Sequence, residues 1–466
     1  MTATPSLTLR SAALTAVVVG CAMFAGALVV LGGVLGTAAV LALVYAPLVL
    51  LSVPVAIGLW VPVIFFEGLP GTTNLPEAGF LLPLLGWLAM ARPDSRVGDV
   101  LRANRRVLVV LGLFLVWALV TILWAQDRAR ATKLMPSYIA VALIYVVVLS
   151  SLGTLRHIRL FALCFVLGVA ASVGVGLAVG DGALGGAFYE DGRLTAGMSD
   201  PNFLAVTIVT AIALVAGLLP STRTLLGRWM LGGVLVMLLL AGLLATQSRG
   251  GLVAAFAAVL AMLWLARGRR LRLTGIIGVI LVAGGLWLAS NPTALERFTA
   301  QDKYGGSGRQ DLWRLAWREF EEHPIRGVGL DNFAIAASPY LREPGALLGV
   351  KHIERGQEAH NLYLGLLAET GIVGLLLYLV IPFASLRAAL AAGDRFATLG
   401  EHAAAALSRA VAVAIIAALV GAFFLPAAAD KRIWVLLALG PALLSVTATT
   451  RASSMPGQPG PAAGTP

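Results

Sequence analysis

Residues 160–180 read LFALCFVLGVAASVGVGLAVG, a run of 21 residues without a charged side chain. An α-helix that crosses the hydrocarbon core of a bilayer needs about 20 apolar residues. Similar runs recur along the 466 residues, of which 59% are hydrophobic and only 12% are charged. The runs lack the two-residue alternation of a transmembrane β-barrel. The sequence therefore predicts an all-α polytopic membrane protein.

The number of transmembrane helices follows from the apolar runs. Fourteen runs can be distinguished, but two of them are short and read equally well as half-spans or re-entrant segments. We therefore expect about 12 transmembrane helices, within a range of 12 to 14. The runs are 11–32, 35–53, 54–66, 80–91, 107–125, 134–151, 160–180, 202–220, 230–246, 251–266, 275–290, 361–385, 408–427 and 433–450, the short ones being 54–66 and 80–91.

The basic residues indicate which side of the membrane each loop faces. The chain has a formal net charge of +11, and its arginines gather in short loops between apolar runs. By the positive-inside rule these loops are cytoplasmic, and an even number of spans places both termini on the same side. Nucleic-acid binding is the competing explanation, but every cluster adjoins a span. The residues are Arg10, Arg92, Arg96, Arg102, Arg105, Arg106, Arg156, Arg159, Arg223, Arg228, Arg267, Arg269, Arg270, Arg272, Arg387 and Arg395.

One long polar segment interrupts the apolar pattern and falls on the opposite, outer face. This segment, residues 291–360, carries nine Lys or Arg and ten Asp or Glu. Within it, RQDLWRLAWREFEE (309–322) has the spacing of an amphipathic helix. The tryptophans of this helix suit the membrane–water interface. The expected organisation is 1–180, N-terminal transmembrane helices; 181–290, transmembrane helices with outer-face arginines; 291–360, the long outer loop; 361–450, C-terminal transmembrane helices; and 451–466, a disordered cytoplasmic tail.

Two arginines are expected on the outer face, where the positive-inside rule disfavours basic residues. Arg193 lies in a short glycine-containing loop, and Arg249 lies in QSRGG (247–251), between two spans with almost no connecting loop. A pair of guanidinium groups suits a pyrophosphate, which each binds in a bidentate manner while keeping its charge. The alternatives are a snorkelling helix-end residue for Arg249 and, for Arg193, a loop charge paired with Asp191 or Glu190.

The long polar segment ends in EAHNLY (358–363), where an apolar run resumes. Its histidine, His360, is a candidate general base because imidazole titrates near neutral pH. A structural histidine at a helix start is the alternative. Glu358 and Glu369 are candidates to orient the imidazole. The histidines do not cluster in sequence, so a metal site has little support.

Four segments in order resemble the superfamily of O-antigen ligases and polymerases, which are bacterial membrane proteins. The resemblance covers about residues 185–390, and each segment is weak evidence by itself. The first reads Arg-Leu-Thr-Ala-Gly, one residue longer than the usual Arg-Leu-Thr-Gly. The segments are RLTAG (193–197) with DPN (200–202), QSRGG (247–251), GR (308–309) through HPIRGVGLDNF (323–333), and HNLYL (360–364) with AETGIVG (368–374).

The resemblance implies a reaction. Family members transfer a glycan from an undecaprenyl-diphosphate carrier on the periplasmic side of the inner membrane, without a metal or nucleotide cofactor. If the roles of the family's residues apply at the matching positions of this sequence, His360 would deprotonate the acceptor hydroxyl. Arg193 and Arg249 would hold the diphosphate and stabilise the negative charge that grows on it. Arg309 is a weaker substrate-binding candidate, together with Asn361 and Tyr363.

The favoured expectation is an O-antigen ligase-type glycosyltransferase whose acceptor is a sugar hydroxyl of a lipid A core. A polymerase of the same superfamily, with a carrier-linked glycan as acceptor, is nearly as well supported. A transporter or flippase of lipid-linked sugars would predict charged residues in mid-span and broken helices in matching halves. The spans are almost free of charge, which favours chemistry at one membrane face. A purely structural scaffold would leave the outer-face arginines unexplained.

Overall fold

A computed structural model of the protein describes residues 45–69, 72–180, 188–198, 200–265, 309–340 and 358–454. The expected spans 11–32 and 275–290, the first part of run 35–53, the loop stretches 291–308 and 341–357, and the tail from 455 onward lie outside the described residues.

The described part of the chain is mostly helical, as the sequence predicts. One two-stranded antiparallel hairpin, in which Glu190 pairs with Arg193, is added to the helices. The elements are α1 Ala46–Leu51, α2 Val53–Trp60, α3 Leu75–Met90, α4 Arg96–Ala103, α5 Arg105–Thr121, α6 Arg128–Ser151, α7 Leu155–Val179, β1 Tyr189–Glu190, β2 Arg193–Leu194, α8 Pro201–Leu218, α9 Leu225–Trp229, α10 Val236–Thr246, α11 Arg249–Leu265, α12 Arg309–Glu322, α13 Phe333–Ala336, α14 Leu362–Thr398, α15 His402–Gly421 and α16 Lys431–Ser454; single-turn 3₁₀ or π segments at Val61–Phe65, Leu219–Ser221, Met230–Leu235 and Ala422–Phe424 extend or join several of them.

The helices are long and apolar enough for a multi-pass membrane protein. Among the described residues, seven helices meet both criteria, or eight if the bent pair α4 and α5 is one span. Three shorter apolar helices, at Val53–Phe65, Leu75–Met90 and Arg249–Leu265, add to them. The expected runs 35–53 and 54–66 are not separated by a loop, because the helix there breaks only at Ser52. α16 continues to Ser454, four residues into the expected tail.

The connections between helices gather at two ends of the bundle. At one end two of the basic loops meet, since the Arg96 guanidinium donates to the Gly153 carbonyl. The opposite end, which we call the site end, holds the turns after α2, α5, α10 and α15 and the β-hairpin. There the Gly68 amide donates to the Gly197 carbonyl at 2.8 Å. These two described basic loops therefore lie at the end of the bundle opposite Arg193 and Arg249.

The core forms where α8 packs against α15, with α11, α14 and α16 around them. Close approach depends on small residues, as is usual for helices in membranes. A methyl group added to Gly421 would lie 2.4 Å from a Val206 methyl, and one on Gly217 would lie 2.4 Å from the Ala410 methyl. This packing fixes the N-terminus of α8, which lies at the site end.

The third and fourth sequence motifs form one unit at a kink in α14. Gly371 has φ 67° and ψ −173°, a conformation open essentially to glycine alone. The loop after α12 follows the kink: the Ile372 amide donates to the Pro324 carbonyl at 2.9 Å, and the Val328 amide donates to the Ala368 carbonyl at 2.9 Å. The loop that joins α12 to α13 is therefore held on the outer part of α14.

Replacing Gly371 with alanine is expected to destabilise the protein strongly. A Cβ atom there would lie 2.2 Å from the Ile325 carbonyl oxygen, in addition to the backbone strain. We expect a loss of about 3 kcal/mol in the free energy of unfolding. Thermal unfolding of the purified protein in detergent measures it, with Gly112→Ala as the control, since nothing lies within 4 Å of a Cβ at that position. Equal melting temperatures for the two variants would contradict the role of the kink.

Candidate active site at the N-terminus of α8

The β-hairpin positions Arg193 at the site end. Its Nε donates to the Thr246 carbonyl at 3.0 Å, and its Nη2 donates to Oδ1 of Asn202 at 3.1 Å. Thr246 is the last residue of α10, where carbonyl groups lack intrahelical partners and the helix dipole favours a cation. The guanidinium group is therefore held half-buried between the end of α10 and the start of α8.

Asn202 joins this arginine to the Arg249 turn. Its Oδ1 also accepts a hydrogen bond from the Ser248 hydroxyl at 2.8 Å. The Ser248 hydroxyl in turn accepts from the Gly251 amide at 3.0 Å and so caps α11. Gln247, with φ 49°, turns the chain back within two residues, so that Arg249 begins α11. The first and second sequence motifs thus meet through one amide side chain.

Asp200 connects the same helix end to His360 and Arg309. Its carboxylate caps α8 by accepting from the amides of Asn202 at 2.6 Å and Phe203 at 3.1 Å. It interacts electrostatically with both Arg309 and His360. The structure therefore places Arg193 and the turn that carries Arg249 beside Asn202, and it places Arg309 and His360 within electrostatic range of Asp200.

His360 lies just before α14 in a left-handed backbone conformation, with φ 46°. Such strain in a residue with a side chain is uncommon and is concentrated at functional sites. Burial lowers the pKa of the imidazole from its ordinary value, and the Arg309 guanidinium lowers this pKa further, while Asp200 opposes both effects. At neutral pH the side chain is consequently uncharged and able to accept a proton.

The local charge suits an anion. The N-termini of α8, α11 and α14 lie at the site end, and each helix N-terminus carries unpaired amide groups and a positive partial charge. Arg193, Arg249 and Arg309 add full positive charges to this region. Diphosphate groups bind well to such combinations of helix ends and guanidinium groups.

Asn361 and Tyr363, expected to bind substrate, both make contacts within the fold. The Asn361 Oδ1 caps α14 by accepting from the amides of Tyr363 at 3.0 Å and Leu364 at 3.1 Å. The Tyr363 hydroxyl donates to the Leu419 carbonyl at 2.6 Å and ties α14 to α15. Both side chains thereby fix the segment that carries His360, whatever they contact on a substrate.

The two candidate orienters of His360 face other partners. Glu369 lies fully within α14, and its carboxylate is within hydrogen-bonding reach of the backbone amides of Asp331 and Phe333. Glu358 has Asp331 and Arg130 as its electrostatic neighbours. Neither carboxylate is among the groups that shift the pKa of the His360 imidazole; the carboxylate that does so is that of Asp200. In the described residues no group of three or more His, Cys, Asp or Glu side chains is arranged to hold a metal.

Two further cations at the site end were missed in the sequence. Lys431 bridges Glu67 at 2.7 Å and Glu77 at 2.5 Å, and Arg432 pairs with Asp430. The guanidinium carbon of Arg432 lies 4.8 Å from the centre of the Phe203 ring, one residue beyond the amide that organises the site. The sequence did contain a signal for Lys431 and Arg432, because the positive-inside rule disfavours basic residues on the outer face, and the same argument identified Arg193. Their carboxylate partners make them supports of the site rather than free cations.

A model of the protein family described as O-antigen ligase matches residues 234–379. The matched stretch contains Arg249, Arg309 and His360, while Arg193 precedes it. No curated protein matches the chain. The family consists of glycosyltransferase-like ligases and polymerases, which supports an enzymatic function and implies lipid-linked glycan substrates. The match covers the second, third and fourth motifs, confirms the resemblance that they show, and supports the membership of this chain in the O-antigen ligase and polymerase superfamily.

Proposed function

We propose that this protein is an O-antigen ligase-type glycosyltransferase of the bacterial inner membrane. It moves a glycan from undecaprenyl diphosphate to a sugar hydroxyl of a lipid A core. The site end faces the periplasm, and the basic loops and both termini face the cytoplasm. The observation that carries the proposal is the convergence of Arg193, the Arg249 turn, Arg309 and His360 on the first turn of α8.

The proposed reaction is a single displacement. The neutral His360 imidazole takes the proton from the acceptor hydroxyl as its oxygen attacks the anomeric carbon of the donor sugar. The bond between that carbon and the diphosphate oxygen breaks, and the diphosphate leaves with the electron pair. Arg193 and Arg249 stabilise the negative charge that grows on the leaving group. The donor is already activated by its diphosphate, so the proposed step uses no cofactor.

Two features of the site support this assignment of roles. Arg193 is fixed by two hydrogen bonds before any ligand arrives, and such preorganisation makes electrostatic stabilisation effective. The lowered pKa of His360 keeps the imidazole unprotonated at neutral pH, as a base requires. Arg309 both depresses this pKa and adds positive charge near the donor.

Product analysis in a reconstituted system tests the proposed function. Purified protein in proteoliposomes receives undecaprenyl-diphosphate-linked glycan, with and without lipid A core. A ligase yields one glycan-bearing lipid A core and no product when the core is omitted. Carrier-linked chains that lengthen without the core would identify a polymerase instead. Movement of carrier-linked glycan between leaflets with no new glycosidic bond would overturn an enzymatic function.

A further inference from the structure

Four aromatic side chains, Trp313, Tyr363, Phe423 and Phe424, form a cluster at the site end, which we call the aromatic platform. The ring centres of Trp313 and Phe423 are 5.3 Å apart in an edge-to-face arrangement, and those of Phe423 and Phe424 are 5.7 Å apart. Tyr363 joins through Phe423, with its ring centre at 6.1 Å. The platform thus unites α12, the start of α14 and the end of α15.

The platform adjoins both parts of the candidate site. On one side, a methyl group placed on Gly250 would lie 3.1 Å from Phe424, so the ring packs directly against the residue after Arg249. On the other side, Tyr363 is three residues beyond His360 and belongs to the helix that His360 precedes. The described contacts therefore place the platform against the arginine turn and on the helix that follows His360.

The platform also has groups that remain open to a ligand. The Phe423 side chain is 43% exposed although it lies among other rings. Within the described structure the buried Trp313 Nε1 has no hydrogen-bond partner. A buried donor without an acceptor is costly, and native structures retain few of them. An acceptor oxygen supplied by a ligand would satisfy it.

We propose that the aromatic platform binds the pyranose ring attached to the donor diphosphate. This inference rests on the proposed function, because the diphosphate lies at Arg193 and Arg249 and the acceptor hydroxyl lies at His360. The anomeric carbon must be between them, and its ring consequently lies against Phe423. The apolar face of the sugar packs on the aromatic rings, and a sugar oxygen accepts a hydrogen bond from Trp313 Nε1.

Equilibrium binding of two probes separates the sugar from its carrier. The probes are undecaprenyl diphosphate and the same carrier bearing the donor glycan, and the protein is the full chain in nanodiscs. Trp313→Leu and Phe423→Leu are expected to weaken binding of the glycan-bearing probe about tenfold, with undecaprenyl diphosphate binding unchanged. Trp317→Leu is the matched control, since this tryptophan lies on the same helix but is 49% exposed and packs on Phe320.

A more conservative variant separates a loss of sugar binding from a folding defect. Trp313→Phe keeps an aromatic ring and removes the N–H, so it is expected to show a smaller loss for the glycan-bearing probe alone. If the platform variants bind the glycan-bearing probe as wild type does, the inference is overturned and the proposed function stands. An equal loss for both probes would identify the carrier as the occupant and also overturn it. A wild-type protein that binds neither probe and transfers no glycan would overturn the proposed function itself.

Discussion

Replacing His360 with alanine is expected to reduce glycan transfer by about 10²–10⁴-fold, because the acceptor hydroxyl loses the group that takes its proton. Binding of the donor should change little, since the diphosphate is held by the arginines. The measurement is the rate of transfer in proteoliposomes at saturating donor, with thermal unfolding as a check on folding. A variant that keeps more than about a tenth of the wild-type rate would contradict the role of a general base.

The pH dependence of the rate gives a second test of the same residue. The base works when it is neutral, so the rate rises as pH increases through the His360 pKa and then levels off. Burial and Arg309 hold this pKa below its ordinary value, and the rising limb therefore lies below pH 6.5. Arg309→Gln removes the depressing cation and shifts the limb to higher pH. Asp200→Asn removes the opposing anion and shifts it to lower pH, and identical profiles for all three proteins would contradict the assignment.

Replacing Arg193 with glutamine is expected to lower kcat/KM for the donor by about 10²–10³-fold, the effect of losing one preorganised group that stabilises charge in a transition state. Arg193→Lys keeps the charge but loses the fork that reaches both Thr246 and Asn202, so an intermediate loss is expected. Asn202→Ala leaves the guanidinium in place without one of its supports and should cost less than Arg193→Gln.

Arg228→Gln is the matched control for these variants. This arginine is exposed at the opposite end of the bundle, where it donates to the Thr222 carbonyl. Its replacement should leave kcat/KM unchanged. An equal loss in Arg193→Gln and Arg228→Gln would show that the effect is one of general charge rather than of position.

The pattern of apolar residues and the distribution of charge predicted much of this fold, because both are properties of residues that lie close together in the sequence. Every expected apolar run within the described residues coincides with a helix, and the helix expected at 309–322 has those bounds in the structure. Which residues of that helix are buried follows from its tertiary contacts. The helix buries Leu312, Leu315 and Glu319, and Trp313 packs on aromatic residues more than one hundred positions later, while Trp317 is 49% exposed.

The parts that sequence reasoning missed depend on contacts between distant segments. Asn202 appears in the sequence only as part of the DPN segment, and its role becomes visible only when β2 and the turn after α10 meet at its side chain. The kink at Gly371 likewise requires the loop at Pro324 to be seen beside it. Glu369 was nine residues from His360 and looked available, but the loop amides engage it. Arg193 and Arg249 were found because a cation on the outer face is unusual by itself, and His360 was found because imidazole titrates near neutral pH and this one ends the long polar segment.

The proposed reaction requires Arg193, Arg249 and His360 to face the same bound diphosphate-linked lipid. The most direct test is a cryo-electron microscopy structure of the wild-type protein in nanodiscs with undecaprenyl diphosphate. We predict that the diphosphate lies at the first turn of α8 and accepts hydrogen bonds of about 2.8 Å from Arg193 and Arg249, with His360 facing the side where the sugar would be attached. A diphosphate bound at the opposite end of the bundle, or a His360 that faces a separate cavity, would contradict the account.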